Sequence, residues 1–340
     1  MSDTLSNREP ASNKRQRTDA DEPLEEDVVK DTEVWLHDGN IVVISKNIAF
    51  RVHKSVLSLH SEVFRDLFLL PPPPGDEQST SFEGCPTVRM PDTPEDLRHL
   101  LLVVCCGKDY YHENDEIVPV PCKVLCSLIR MGHKYAIPKV LNDALSRLKR
   151  YYTSDLSLWD DQDRRGRYVT VGAKDHIPTI QVAHLTNTPS ILPSAFLDMA
   201  YFAEDDIVTL SKCGAQCQCG LSPELVRQAL RGKAAIIANI TGRLLAIHTV
   251  VPASKCPTPE RCTMVAHQVL RTEIWMGGFR TKCSIVTVFQ PLCAWYWREV
   301  KDRLCPSCMN ASRTTDEDLR KSEWKELPRF FSLKIDDWPA

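Results

Sequence analysis

The stretch IAFRVHKSVLSLHSEVFRDLF, residues 48–68, constrains the fold more tightly than any other part of the chain. Ile48, Phe50 and Val52 alternate with their neighbours at the two-residue period of a half-buried strand. At His53-Lys54 the period changes. Val56, Leu57, Val63, Phe64, Leu67 and Phe68 then fall on one stripe of an amphipathic helix starting near Lys54. His53 is read as structural, because an imidazole at such a junction can hydrogen-bond backbone left unpaired where a sheet passes into a helix. Neither a nucleophile nor a paired acid stands nearby.

The flanking residues extend this into an α+β unit. Val34 and Leu36 alternate ahead of Asp38-Gly39, a hairpin turn signal, and IVVIS follows before Lys46-Asn47, a second turn. The expectation is a three-strand meander. Downstream, PPPPG (71–75) ends the helix and a polar loop runs to Gly84. TVRM is then a short strand, and Thr93 with Pro94 and two acids opens a helix. Helices are also expected over 121–134 and 138–152, the second with Val140, Leu141, Ala144, Leu145 and Leu148 on one face. Phe50, Leu57, Phe64, Phe68, Leu101 and Leu145 should share one core.

Outside this unit the composition shifts. Residues 1–29 are polar with clustered acids, a disordered arm that cannot bury enough apolar area to fold. Within it KRQR (14–17) has the form of a nuclear-import signal. Residues 153–169 include the charged run DDQDRRGR and read as a linker. Residues 170–335 read as a mainly α-helical, cysteine-containing domain. In it Ser222-Pro223 starts a helix that puts Ile236, Ile237, Ile240, Leu244 and Ile247 on one stripe.

The net charge of −3 argues against a broad, direct nucleic-acid surface. The most apolar run, LLLVVCC, is too short to span a bilayer, and no apolar leader is present. The expectation is an intracellular chain, nuclear or cytoplasmic, whose 14 cysteines are reduced thiols or metal ligands. Cys213, Cys217 and Cys219 form one cluster, and Cys305 with Cys308 forms a Cys-x-x-Cys knuckle. One structural zinc could join the knuckle to two of the upstream three. The other reading is reduced core cysteines, which is the one given to Cys105, Cys106, Cys256, Cys262, Cys283 and Cys293. The WYW cluster (295–297) reads as helix core, and His176, His184, His248 and His267 show no metal spacing. No phosphate-binding glycine loop, His-Glu-x-x-His helix or Gly-x-Ser-x-Gly elbow occurs, so no enzyme is expected and no other cofactor is implied.

The segments FRVHKSVLSLHSEVFRDLF, VRMPDTPEDLRHLLLVVCCG and GHKYAIPKVLNDAL resemble the BTB/POZ domain family over residues 30–152. The family pattern Phe-x-x-His-Lys-x-x-Leu-x-x-x-Ser-x-x-Phe is met by Phe50, His53, Lys54, Leu57, Ser61 and Phe64. The resemblance implies a non-enzymatic protein-interaction module that self-associates as a dimer or recruits partner proteins. Two alternatives go with it: a substrate adaptor on a cullin scaffold of a ubiquitin ligase, and a nuclear transcription co-regulator. The chain departs from the family at Glu33, where Asp is usual, and at Phe82-Glu83, where cullin binders carry a hydrophobic-x-Glu triplet. The whole layout is also similar to BTB proteins abundant in mushroom-forming fungi. That likeness rests on Trp35, Asp38, Gly39 and Asn40 near the start and on Trp324, Leu327, Pro328 and Phe330 or Phe331 near the end.

Overall fold

The computed structural model describes residues 28–70, 81–113, 116–172, 174–210, 220–271, 297, 300–336 and 338–339. Five strands form one mixed sheet: β1 (Val29–Trp35), β2 (Ile41–Ser45), β3 (Ile48–Val52), β4 (Ser81–Phe82) and β5 (Cys85–Met90), in the order β1-β3-β2-β5-β4. β2 and β3 pair antiparallel through the Lys46-Asn47 turn, as the sequence suggests, with Lys46 at φ 50°. The meander does not form. β1 runs parallel to β3 on the side away from β2. The Asp38-Gly39 turn therefore arches over the end of β3: Leu36 N–H donates to Arg51 O on one side and Asn40 N–H to Val52 O on the other. Gly39 is needed there, since a Cβ would lie 2.8 Å from the Arg51 side chain and 3.0 Å from Val52 N.

Alternation along the strands divides the core. Val34, Ile41, Val43, Phe50 and Val52 face the helices, while Val42, Ile44, Ala49 and Cys85 pack with Trp35 and Phe82 on the other face. The expected single helix after His53 is two, α1 (Lys54–His60) and α2 (Glu62–Leu67). Ser61 breaks them with extended backbone; its hydroxyl accepts from Phe64 N–H at 3.1 Å and donates to Tyr135 O at 2.6 Å. That bond fixes the helix pair to the far end of the unit, where Phe64 stacks on Tyr135 at 4.4 Å. α3 (Pro94–Cys106) starts on the Thr93 cap, and α4 (Cys122–Lys134) and α5 (Pro138–Tyr151) form an antiparallel pair. Phe50, Leu57, Phe64 and Leu101 are buried in one cluster, with Phe68 and Leu145 packed against it.

Residues 153–169, read as a linker from their composition, are folded. They carry α6 (Leu156–Asp160) and α7 (Gln162–Gly166), each started by an aspartate cap, and β9 (Val169–Thr170). Between α3 and α4 lie three more two-residue strands, β6 (His112–Glu113), β7 (Glu116–Ile117) and β8 (Val120–Pro121), and β8 pairs with β9. Among the described residues, the helical remainder carries α8 (His176–Leu185), α9 (Leu192–Ala200), α10 (Glu204–Leu210), α11 (Pro223–Thr249), α12 (Pro259–Leu270) and α13 (Pro306–Phe330). α11 starts on Ser222 as expected. It buries Ile236, Ile240, Leu244 and Ile247 against α9 and α13, but Ile237 is exposed. Gly232 admits the ring of Phe331, which stacks on Phe196 at 5.3 Å. Trp159 packs on Trp324, and Trp324 Nε1 donates to Ser154 O at 2.7 Å. On the helix-facing side, the buried apolar residues from Val34 to Trp338 thus join in one cluster among the described residues, separate from that of Val42, Ile44, Ala49 and Cys85.

Candidate metal centre and interaction surface

The sequence repeats one local plan. KCPTPERC (255–262) and LCPSC (304–308) each place a cysteine before a proline and a second cysteine in the first turn of a helix with Pro at its start. Pro is preorganised for that helical position, so both motifs nucleate helix N-termini. Cys262 lies in the first turn of α12. Cys305 is the N-cap of α13, with Cys308 in its first turn, and Cys256 is on the preceding loop. The fold brings these two N-termini together, and the four sulfurs lie within 4.8 Å of one another. Cys256 Sγ and Cys305 Sγ are 3.6 Å apart. A tetrahedral zinc with Zn–S bonds of about 2.3 Å sets its sulfurs about 3.8 Å apart, so the spacing is compatible with one ion.

Backbone amides point at three of the sulfurs. Cys305 N–H donates to Cys262 Sγ at 3.4 Å, Ala253 N–H to Cys308 Sγ at 3.3 Å and Cys308 N–H to Cys305 Sγ at 3.5 Å. Two helix N-termini add their partial positive charge. Burial alone raises a thiol's pKa. At Cys262, though, the Cys305 amide and the Thr258 hydroxyl outweigh it and hold the group at about 7. At Cys308 burial wins and, with the neighbouring thiols, pushes the group up to about 12. Cys256 is also raised, chiefly by burial. Such a set gives up a first proton readily and the later ones only if a cation neutralises the accumulating charge.

Of the cysteines singled out from the sequence, Cys305 and Cys308 are in this cluster. Cys213, Cys217 and Cys219 lie outside the described residues, as do Cys283 and Cys293. Cys256 and Cys262, read as core cysteines, are the partners found beside the knuckle. Their six-residue separation crosses from loop to helix, which hid the match. The repeated Cys-Pro start was the available signal. Cys105 is half-buried, its thiol pushed up to about 12 by burial, and Cys106 is exposed at the end of α3.

On the sheet side, His53 is partnered among the described residues by a side chain. Its Nε2 lies 3.1 Å from Asp38 Oδ1, while Asn40 Oδ1 accepts from Lys54 N–H at 2.9 Å and caps α1. Glu33 is exposed. The buried acid of β1 is Asp31, missed in the sequence: it accepts from Glu33 and Val34 N–H and pairs with Arg98 at 2.6 Å. On the α1–α2 side Leu59 is 81% exposed and Leu69 77%, with Leu70 and Val63 also exposed. Phe82 is half-buried edge-on against Trp35, and Glu83 pairs with Lys30 at 2.5 Å.

A five-stranded mixed sheet capped by helical pairs, carrying exposed apolar side chains on its α1–α2 side, defines an α+β module. Residues 36–149 match the family model of the BTB/POZ domain. The chain therefore carries a BTB/POZ domain, a protein-interaction domain, followed by a mostly helical region. No curated protein matches the chain. Among the described residues no helix is long and apolar enough to cross a membrane.

Proposed function

We propose that the chain is a non-enzymatic interaction protein, whose BTB/POZ domain binds a second copy of itself or a partner protein and whose helical region is held by one structural zinc on Cys256, Cys262, Cys305 and Cys308. The observation that carries the interaction reading is the domain match together with the exposed leucines of α1–α2. Taking such side chains out of water drives association. Light scattering of the purified chain tests it. Leu59→Asp should reduce the mass if copies pair through this face, and should reduce recovery of proximity-labelled neighbours if a partner binds there. An unchanged mass and an unchanged neighbour set would reject this surface.

The zinc reading is supported by the four converging sulfurs and the amides that point at them. In the adaptor alternative Phe82 and Glu83 would have to meet a cullin scaffold. Phe82 packs edge-on against Trp35 and Glu83 makes a half-exposed surface pair with Lys30, and a pull-down on a cullin scaffold decides that reading. The co-regulator alternative rests on KRQR at 14–17, outside the described residues. Replacing Lys14, Arg15 and Arg17 with Ala should lower the nuclear fraction of a tagged chain, and an equal fraction would remove the claim.

A further inference from the structure

Where α5, α7, β9 and α9 meet, the fold leaves a cleft of about 520 Å³. Its charged groups are buried and only partly answered. Arg165 is 6% exposed and lies over two rings, 4.0 Å from the centroid of Trp159 and 4.8 Å from that of Tyr151. Its Nε and Nη1 are buried and reach no acceptor. Asp198 is 8% exposed, and its Oδ2 is buried and reaches no donor. Burial pushes that carboxyl up to about 7, with Arg165 pulling the other way. His176 Nδ1 lies 4.0 Å from Asp198 Oδ2 but 3.2 Å from the Tyr152 hydroxyl, and burial lowers the imidazole to about 4. A neutral ring does not supply the missing cation.

Buried polar groups in native folds are nearly always paired, and buried guanidinium N–H groups left without acceptors, as at Arg165 Nε and Nη1, are costly. Arg165 and Asp198 would relieve each other if they met. Among the described residues they form no ion pair; both line the open volume. Two opposite charges held apart around a gap match a molecule with two opposite charges of its own. We propose that this cleft binds a small zwitterion carrying a carboxylate and an ammonium, an α-amino acid or a short peptide. The carboxylate accepts from Arg165, the ammonium donates to Asp198, and the remainder of the ligand lies against Trp159, Tyr201 and Phe202. The volume is in the usual range for small-molecule sites, roughly 300–1,000 Å³.

Calorimetric titration of the whole chain tests this, with each free protein amino acid and with glycylglycine in separate runs. Acetate and methylammonium, each carrying half of the zwitterion, serve as controls. At least one amino acid or the dipeptide should bind more tightly than either half, and which of them binds separates the two sources. Asp198→Asn keeps the shape and Arg165→Gln removes the cation. Each should weaken binding by about tenfold or more, the size of one lost charged hydrogen bond. If Arg165→Gln fails to fold, Asp198→Asn decides alone. No binding by any of the probes, binding that survives the substitutions, or acetate binding as tightly as the best zwitterion would each overturn the proposal.

Discussion

The cysteine cluster gives the prediction with the most structure behind it. Replace Cys308 with Ser, which keeps the shape, removes a thiolate and leaves Ala253 N–H facing a hydroxyl. The magnitude follows from chain topology. A cross-link joining Cys262 to Cys305 closes a loop of 43 residues. In the chain-entropy treatment of cross-links, a loop of that length lowers the unfolded state's freedom by about 4 kcal/mol at 25 °C. A 1 kcal/mol change moves the melting temperature by about 2–4 °C for a unit of 150–250 residues, so loss of the link should lower it by about 8–16 °C. The same drop should follow treatment of the wild type with a strong zinc chelator, and chelator should not lower the variant further. Elemental analysis should give one zinc per wild-type chain, with the four thiols unreactive until the metal is removed. Protein purified under reducing conditions that lacks zinc, has fully titratable thiols and melts at the same temperature with and without chelator would refute the reasoning.

Three further outcomes are expected. Phe64→Ala removes a fully buried ring stacked on Tyr135 and should destabilise by about 3–5 kcal/mol in denaturant titration, with an unchanged midpoint contradicting the core assignment. Gly232→Ala would set a Cβ 2.0 Å from Phe331 Cδ1, and the forced shift should cost at least about 1–3 kcal/mol by the same assay. Asp198 has its carboxyl raised to about 7 in the fold, against about 3.9 unfolded, so this group's own contribution to stability is fully present below about pH 4 and is lost as pH rises through about 7. That loss is on the order of 4 kcal/mol from this group; Glu323 acts the same way, while His176 and His248, lowered to about 4 by burial, act the opposite way, so the readout is the difference between wild type and Asp198→Asn, which should lack this falling component; an identical pH profile in the variant would show that the carboxyl is ionised at no cost.

Local chemistry made much of this fold legible. The Thr93 and Ser222 caps with their prolines, the Lys46-Asn47 turn and the stripe of α5 are set by neighbours in the chain, and they stand where the sequence puts them. The departures all depend on residues far away. Ser61 interrupts a helix-like stripe because its hydroxyl answers a carbonyl 74 positions later. β1 misses β2 because the turn between them is held on both sides by β3. The segment 153–169 looks solvated by composition, yet Trp159 finds Trp324 and Asp160 pairs with Arg320. In the candidate metal centre the knuckle was readable, since its spacing is local. Its partners share the Cys-Pro start, but which distant cysteines face it is set by the meeting of the α12 and α13 N-termini, which no local pattern shows.

That seam between Trp159 and α13 also has an order in time. Ser154 and Trp324, joined by one hydrogen bond, are 170 positions apart. At a synthesis rate of about 5–20 residues per second, Trp159 leaves the ribosome roughly 10–30 s before the helix that covers it. For that interval the sheet and its helices must hold together with an indole and an aspartate facing water, a stretch during which a nascent chain offers a chaperone something to grip. Protection from protease at residues 153–169 should therefore be the last to appear as the chain is made.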